Sequence, residues 1–199
     1  VTLTYYVDNQ NKAVFEHFNL EVRQGERIFL QGRNGCGKSS VIKAILNQHR
    51  QQGESSQSLS IQLPVLSDGK IELPNGMIIS YCAQDTSMLQ GTIQEYAQDN
   101  ELDLTLFMAL LRKLDFSRIQ FEKRIEDYSG GQKKKVLLAA SLCRKAHIYI
   151  WDEPLNFIDV FSRMQLEELI LKMKPTMILV EHDKMFMEHT ATRIISLNK

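Results

Sequence analysis

Residues 32 to 39 read Gly32-Arg33-Asn34-Gly35-Cys36-Gly37-Lys38-Ser39, which fits G-x-x-x-x-G-K-[ST] at every fixed position. The pattern has a physical meaning. Its glycines let main-chain N–H groups turn inward around phosphate oxygens and form a concave anion site. A helix expected to open at Ser40 adds the positive end of its dipole. Lys38 is placed to neutralise the outer phosphates, and the Ser39 hydroxyl to ligate Mg²⁺. Much further on, an apolar run ends in Asp152-Glu153-Pro154. In an enzyme with such a loop, a first carboxylate at a strand tip holds the metal. A second orients or deprotonates the attacking water. Adjacent strand residues point opposite ways, so two carboxylates there can take two roles.

Three weaker features accompany these. Tyr128-Ser129-Gly130-Gly131-Gln132 precedes an amphipathic helix. Its glycines offer another main-chain surface for a phosphate at a helix N-terminus, although Ser129 also suits a plain helix cap. Gln84 follows one strand-like run, and His182 follows another, where a side chain reaches toward a terminal phosphate.

The elements that must position these residues can be read from the apolar pattern. Strands are expected at Val1–Tyr6, Phe18–Val22, Arg27–Leu30, Ser58–Leu63, Lys70–Leu73, Met77–Cys82, His147–Trp151 and Thr176–Val180. Pro74-Asn75-Gly76 reads as a hairpin turn. Helices are expected at Ser40–Gln48, Leu102–Leu114, Lys133–Arg144 and Ser162–Met173, with a Gln- and Ser-rich loop over 48–60. The nearly all-apolar runs are those of a parallel sheet buried on both faces. The fold class is therefore α/β, a mostly parallel sheet flanked by helices. An antiparallel β addition around 58–82 and a helical one near 102–114 complete it.

Composition narrows the class. The chain has 199 residues, 43% hydrophobic and 24% charged, ordinary values for a globular domain. Its net charge is zero, so no global electrostatic footprint for nucleic acid or an anionic membrane exists. No apolar run nears the roughly 18 residues of a membrane span, and no signal peptide opens the chain. The three cysteines, Cys36, Cys82 and Cys143, match no zinc or disulfide framework, which implies reduced thiols and a cytoplasmic setting. Val1 opens directly in strand-like alternation, and the chain ends just after another strand-like run. The expectation is one domain, 1–199, cut from a longer protein.

The order of the motifs is more specific than any one of them. Phosphate loop, Gln84, Ser129-Gly130-Gly131-Gln132, Asp152-Glu153 and His182 together resemble the ABC ATPase family over essentially the whole chain. The resemblance implies a P-loop NTPase core with ATP and Mg²⁺ as cofactors and a helical subdomain at about 86–128. Residues 32–39 correspond to the Walker A motif, Gln84 to the Q-loop glutamine, and Ser129–Gln132 to the signature motif. Ile148–Asp152 is Walker B, Glu153 the catalytic glutamate, Leu155–Asp159 the D-loop and His182 the switch histidine. Ser39, Asp152 and Gln84 fall at the metal-holding positions. Tyr5, with Tyr6 as the alternative, falls where an aromatic ring stacks on adenine. In this family two cassettes sandwich two ATP molecules, so Ser129 and Gly131 would act on the partner's nucleotide.

Within the family, Asp152-Glu153-Pro154-Leu155-Asn156-Phe157-Ile158-Asp159 resembles the ABC-F form D-E-P-x-N-x-x-D. His182-Asp183-Lys184-Met185-Phe186 resembles its H-D-[RK]-x-F. ABC-F proteins are soluble, carry two cassettes and act on ribosomes. The form YSGGQKKK, unlike the common L-S-G-G-E, looks like the antibiotic-resistance subgroup of Lsa and Vga type. The position expected is the C-terminal cassette. The alternative is the ATPase subunit of a membrane transporter. Lys133-Lys134-Lys135 is read as a solvated helix face, with contact to ribosomal RNA phosphates as the alternative.

Overall fold

The computed structural model describes residues 2–7, 10–15, 18–51, 65–68 and 70–197, with main chain only for 2–15 and 65–68. Strands β1 (Thr2–Val7) and β2 (Gln10–Phe15) pair antiparallel. Strand β3 (Arg27–Gln31) runs into the glycine loop, and α1 (Lys38–Gln51) leaves it. Strand β4 (Val65–Asp68) joins β1, giving a three-stranded sheet in the order β2-β1-β4. Then come β5 (Ile79–Cys82), the helices α2 (Ile93–Asp99), α3 (Leu104–Lys113) and α4 (Arg118–Phe121), and α5 (Gly130–Cys143). The chain continues through β6 (Ile148–Asp152), α6 (Val160–Met173), β7 (Met177–Val180), α7 (Lys184–Thr190) and β8 (Arg193–Ser196).

The second sheet is parallel, in the order β5-β6-β7-β3-β8. Strands β6 and β7 are buried along their length, as their apolar sequences require. Alternate side chains go to opposite faces. Ile28, Leu30, Ile148, Ile150, Ile178 and Val180 pack with Val41, Ile42 and Leu46 of α1. Phe29, Tyr149, Trp151, Met177 and Leu179 pack with α5, α6 and α7. Register aligns Leu30 and Asp152 with Val180, and Cys82 with Trp151. The loops carrying residues 32–39, 84, 152–153 and 182 therefore leave the carboxyl ends of β3, β5, β6 and β7 together, the side of the sheet where ligands of open α/β sheets bind.

Three expectations are corrected. Phe18–Val22 and Lys70–Leu73 form no strands. Phe18, Leu20, Val22 and Ile71 instead lay half-buried side chains on the α1 side of the core. Alternation reports one-sided burial, and it does not guarantee a pairing partner. Met77–Cys82 shortens to β5 and enters the parallel sheet, so Asn75-Gly76 is a turn without a hairpin. The antiparallel addition is built from β1, β2 and β4, and the expected strand Ser58–Leu63 lies outside the described residues.

Candidate nucleotide site

The loop 32–39 has the geometry its glycines permit. Gly35 and Gly37 take φ of +76° and +103°, which L side chains rarely adopt. A Cβ on Gly32 would lie 2.5 Å from Cys36 Sγ and 3.2 Å from the Leu197 carbonyl, so a side chain there would have to displace its neighbours. Lys38 is buried, and its ammonium donates to the carbonyls of Gly32 (2.8 Å) and Arg33 (3.1 Å) across the loop it closes. Arg33, Asn34 and Gly35 are exposed at the rim, and Ser40 lies in the first turn of α1.

Asp152 ends β6, buried, with Oδ1 lacking any hydrogen-bond partner. Burial raises its carboxyl above the ordinary range, opposed by a hydrogen bond from Ser39. An unpartnered buried carboxylate oxygen beside a hydroxyl is costly unless a cation or donor completes it. The pair fits Mg²⁺, a hard ion that takes few protein oxygens and keeps its other positions for water and phosphate. Among the described residues no group of three or more His, Cys, Asp or Glu side chains stands ready to hold a metal alone.

Glu153 is the meeting point of the remaining motifs. Its Oε2 accepts from Gln84 Nε2 and from Asn156 Nδ2, both at 2.7 Å, and its Oε1 lies 4.0 Å from His182 Nε2. Its own N–H donates to the Val180 carbonyl at 2.9 Å. The residue sits at φ +48°, a left-handed conformation costing on the order of 1 kcal/mol for a non-glycine residue. Residues distant in sequence thus converge on one carboxylate. Only Asn156 among them was absent from the expected site residues.

Glu181 is a further residue the sequence reading passed over. It is buried, and its Oε1 accepts from the N–H groups of His182 (2.6 Å) and Asp183 (3.2 Å). Its Oε2 accepts from Leu155 N–H at 3.0 Å. One carboxylate fixes the start of the loop after β6 to the loop after β7. A buried glutamate beside a histidine was the available signal, since such a group needs several donors.

Ser129 caps α5. Its hydroxyl accepts from Gln132 N–H at 3.3 Å, and its N–H donates to Gln132 Oε1 at 3.0 Å, a capping box. The plain capping reading therefore holds, and Ser129 and Gly130 remain exposed. Gly131 has a packing reason to be glycine, since a Cβ there would stand 2.3 Å from the Phe157 carbonyl oxygen. Tyr128 packs edge-on against Phe116 at 5.3 Å, and its hydroxyl donates to the Gln120 carbonyl at 2.6 Å. Tyr5 and Tyr6 lie on β1, where Tyr5 pairs with Lys12 and Val65. Their side chains lie outside the description.

The lysine run is corrected. Lys134 is 1% exposed and Lys135 6%. Lys134 Nζ donates to the carbonyls of Ala83 (2.8 Å) and Asp152 (3.3 Å). Lys135 Nζ pairs with Asp159 at 2.7 Å. Two of the three lysines are thus internal fasteners, which neither a solvated face nor an RNA contact would require.

A phosphate-type glycine loop, a buried aspartate with one unpartnered oxygen and a held glutamate, gathered at the carboxyl ends of a parallel sheet, are the arrangement of a nucleoside-triphosphatase domain. Residues 15–156 match the family model described as ABC transporter. The chain belongs to that family and is an ABC ATPase domain, with ATP and Mg²⁺ as its cofactors. It is 30% identical over 191 residues to the ATP-binding protein Uup of Buchnera aphidicola subsp. Acyrthosiphon pisum, covering 92% of this chain and 30% of that protein. It is 29% identical to ABC transporter F family member 2 of Arabidopsis thaliana, over 94% of this chain and 26% of that protein. It is 28% identical to the ribosome protection protein VmlR of Bacillus subtilis, over 90% of this chain and 30% of that protein. The chain therefore spans about a third or less of the length of these relatives. The fold matches the dimeric structure of MJ0796, a bacterial ABC transporter cassette, with a TM-score of 0.75 at 19% identity over 100% of this chain and 92% of that one. Among the described residues no helix is long and apolar enough to cross a membrane.

Proposed function

We propose that the chain, residues 1–199, is one cassette of a longer two-cassette ABC-F protein. It binds and hydrolyses Mg-ATP as half of a cassette pair that acts on the ribosome from the cytoplasm. The observation that carries this is the grip on Glu153 by Gln84 and Asn156, with His182 opposite. Asn156 is the residue that sets the ABC-F form of the loop apart, and here it touches the carboxylate that would activate water.

The roles follow from position. Main-chain N–H groups of Gly32–Ser40 cradle the phosphates, and Lys38 swings from its loop carbonyls to the outer ones. Ser39 and Asp152, with Gln84, would hold Mg²⁺. When bound, the ion neutralises charge building on the phosphate oxygens. Glu153 accepts the water proton, and its hold by two amides fixes the direction from which it does so. His182 reaches the terminal phosphate. Tyr5, or Tyr6, stacks on adenine. Ser129, Gly130, Gly131 and Gln132 serve the nucleotide of the opposing cassette. Exposure of Ser129 and Gly130 supports this, since both are open to a partner. The kinship with a ribosome protection protein and an F-family member supports the ribosomal reading and, within it, antibiotic resistance of the Lsa and Vga type through the C-terminal cassette.

The test is Glu153→Gln in the full-length protein. Hydrolysis is expected to fall by at least a hundredfold with ATP binding retained, and the trapped protein should sediment with ribosomes when ATP is present. Retention by membranes without ribosome association would overturn the ABC-F reading in favour of a transporter subunit.

A further inference from the structure

Lys134 is an anomaly as a stability element. A lysine ammonium at 1% exposure has left water, and its two hydrogen bonds go to main-chain carbonyls, not to a carboxylate. An apolar side chain of similar length would fill the same space with no charge to desolvate. The carbonyls it holds are informative. Ala83 immediately precedes Gln84, and Asp152 immediately precedes Glu153. The two side chains that follow these carbonyls meet each other at 2.7 Å. Lys134 therefore spans the two main-chain segments from which the Gln84–Glu153 contact is built. It does so from α5, the helix capped by Ser129.

The same helix is fixed to the same two strands a second time. Ser141 Oγ accepts from Trp151 Nε1 at 2.8 Å and bonds Ser80 Oγ at 2.8 Å. Ser80 lies on β5 and Trp151 on β6. The serine pair holds β5 within its length and β6 through the side chain one residue before its end, and Lys134 holds the end of each strand. A helix joined at both levels carries the ends of β5 and β6 with it.

We propose that Lys134 is a positioning residue for hydrolysis. It sets the approach of Gln84 to Glu153, and it makes that approach depend on the placement of the helix that starts at Ser129. The inference rests on the reading of Gln84 and Glu153 as hydrolytic residues.

The experiment uses the full-length protein and the variants Lys134→Met, Gln84→Ala and the double variant, with Glu153→Gln as the floor of activity. The expected result for Lys134→Met is a fall in kcat of at least tenfold, with the ATP dissociation constant within threefold of the parent. The double variant should then be no slower than Gln84→Ala alone within twofold, because both changes remove one and the same contact. Hydrogen–deuterium exchange should rise in peptides spanning Ala83–Asp85 and Glu153–Asn156 and stay unchanged in α3. Multiplicative losses in the double variant, or exchange rising uniformly, would mean Lys134 is structural only and would overturn the proposal. If Lys134→Met does not fold, Lys134→Gln, which is uncharged but keeps two N–H donors on one amide nitrogen, is held to the same criteria. Failure of both to fold overturns it as well. If Gln84→Ala and Glu153→Gln leave turnover unchanged, the reading of the site fails. If they remove turnover and Lys134→Met does not lower it, the inference about Lys134 alone fails.

Discussion

Asn156 is the residue whose surroundings say most about how the Glu153 carboxylate, proposed above to activate water, is aimed. Its amide and that of Gln84 donate to the same oxygen, Glu153 Oε2, leaving Oε1 toward His182. A carboxylate cannot donate when ionised, so both amides must present their N–H₂ groups to it. The two donors come from different loops, one after β5 and one after β6. Replacing Asn156 by Ala removes one hydrogen bond to a charged group, a loss of about 1.5–3 kcal/mol in aim. The expected outcome is a fall in kcat of roughly ten- to a hundredfold with ATP affinity little changed, measured by steady-state hydrolysis and nucleotide titration. Equal losses in kcat and affinity would mean that Asn156 holds the fold of the loop and not Glu153. Asn156 stood in the sequence as a class marker, and its chemical contact became visible only when β6 and its following loop were in place.

The elements show where sequence reading succeeds and where it stops. The strands β3, β6 and β7 and the helices α1, α5 and α6 follow from apolar runs and spacing, because burial on two faces or on one stripe is written directly into residue type. Helices α2, α4 and α7 are short, seven, four and seven residues, and their starts depend on single caps such as Thr92 and Asp183. Short helices of this kind carry too little periodicity to stand out. Lys134 and Lys135 were misread for a different reason. A charged residue in a helix is normally solvated, and only the arrival of Ala83, Asp152 and Asp159 from elsewhere in the chain gives the ammonium groups internal partners. Asp159 joins two elements, capping α6 through the Ser162 N–H and pairing with Lys135 on α5. Burial pushes its carboxyl up, but Lys135 and the Ser162 amide and hydroxyl outweigh this and hold it at about 2. A lowered carboxyl stabilises the fold above its unfolded value near 4, and that gain is lost as pH falls toward 2. Asp159→Asn keeps a capping oxygen but no charge. The stability difference between parent and variant, about 1 kcal/mol after screening at the half-exposed Asp159 carboxylate, whose partner Lys135 is buried, should be present at pH 6 and be lost as pH falls through about 2 in denaturant titrations. A difference constant with pH would show that the ion pair contributes nothing.

At the scale of the molecule, the loop 32–39, Asp152, Glu153, Gln84 and His182 lie at the carboxyl ends of the parallel strands, while Gly130 and Gly131 pack toward the Phe157 segment of the loop after β6. On the reading proposed above, the chain alone carries halves of two sites. The isolated domain is expected to bind Mg-ATP and to hydrolyse it slowly, with turnover rising on addition of the remainder of the full-length protein. Absence of binding above millimolar ATP in a folded sample would sink this. The serine-linked tryptophan has an optical consequence. Trp151 is the sole tryptophan of these 199 residues, fully buried one position before Asp152 and hydrogen-bonded to the helix that Ser129 caps. Its indole is shielded from dissolved quenchers, donates to one hydroxyl of that helix and lies in register with the Cys82 thiol on β5, so its emission responds to how closely the helix sits on the sheet. The chain carries its own dye at the joint between its parallel sheet and the helix capped by Ser129.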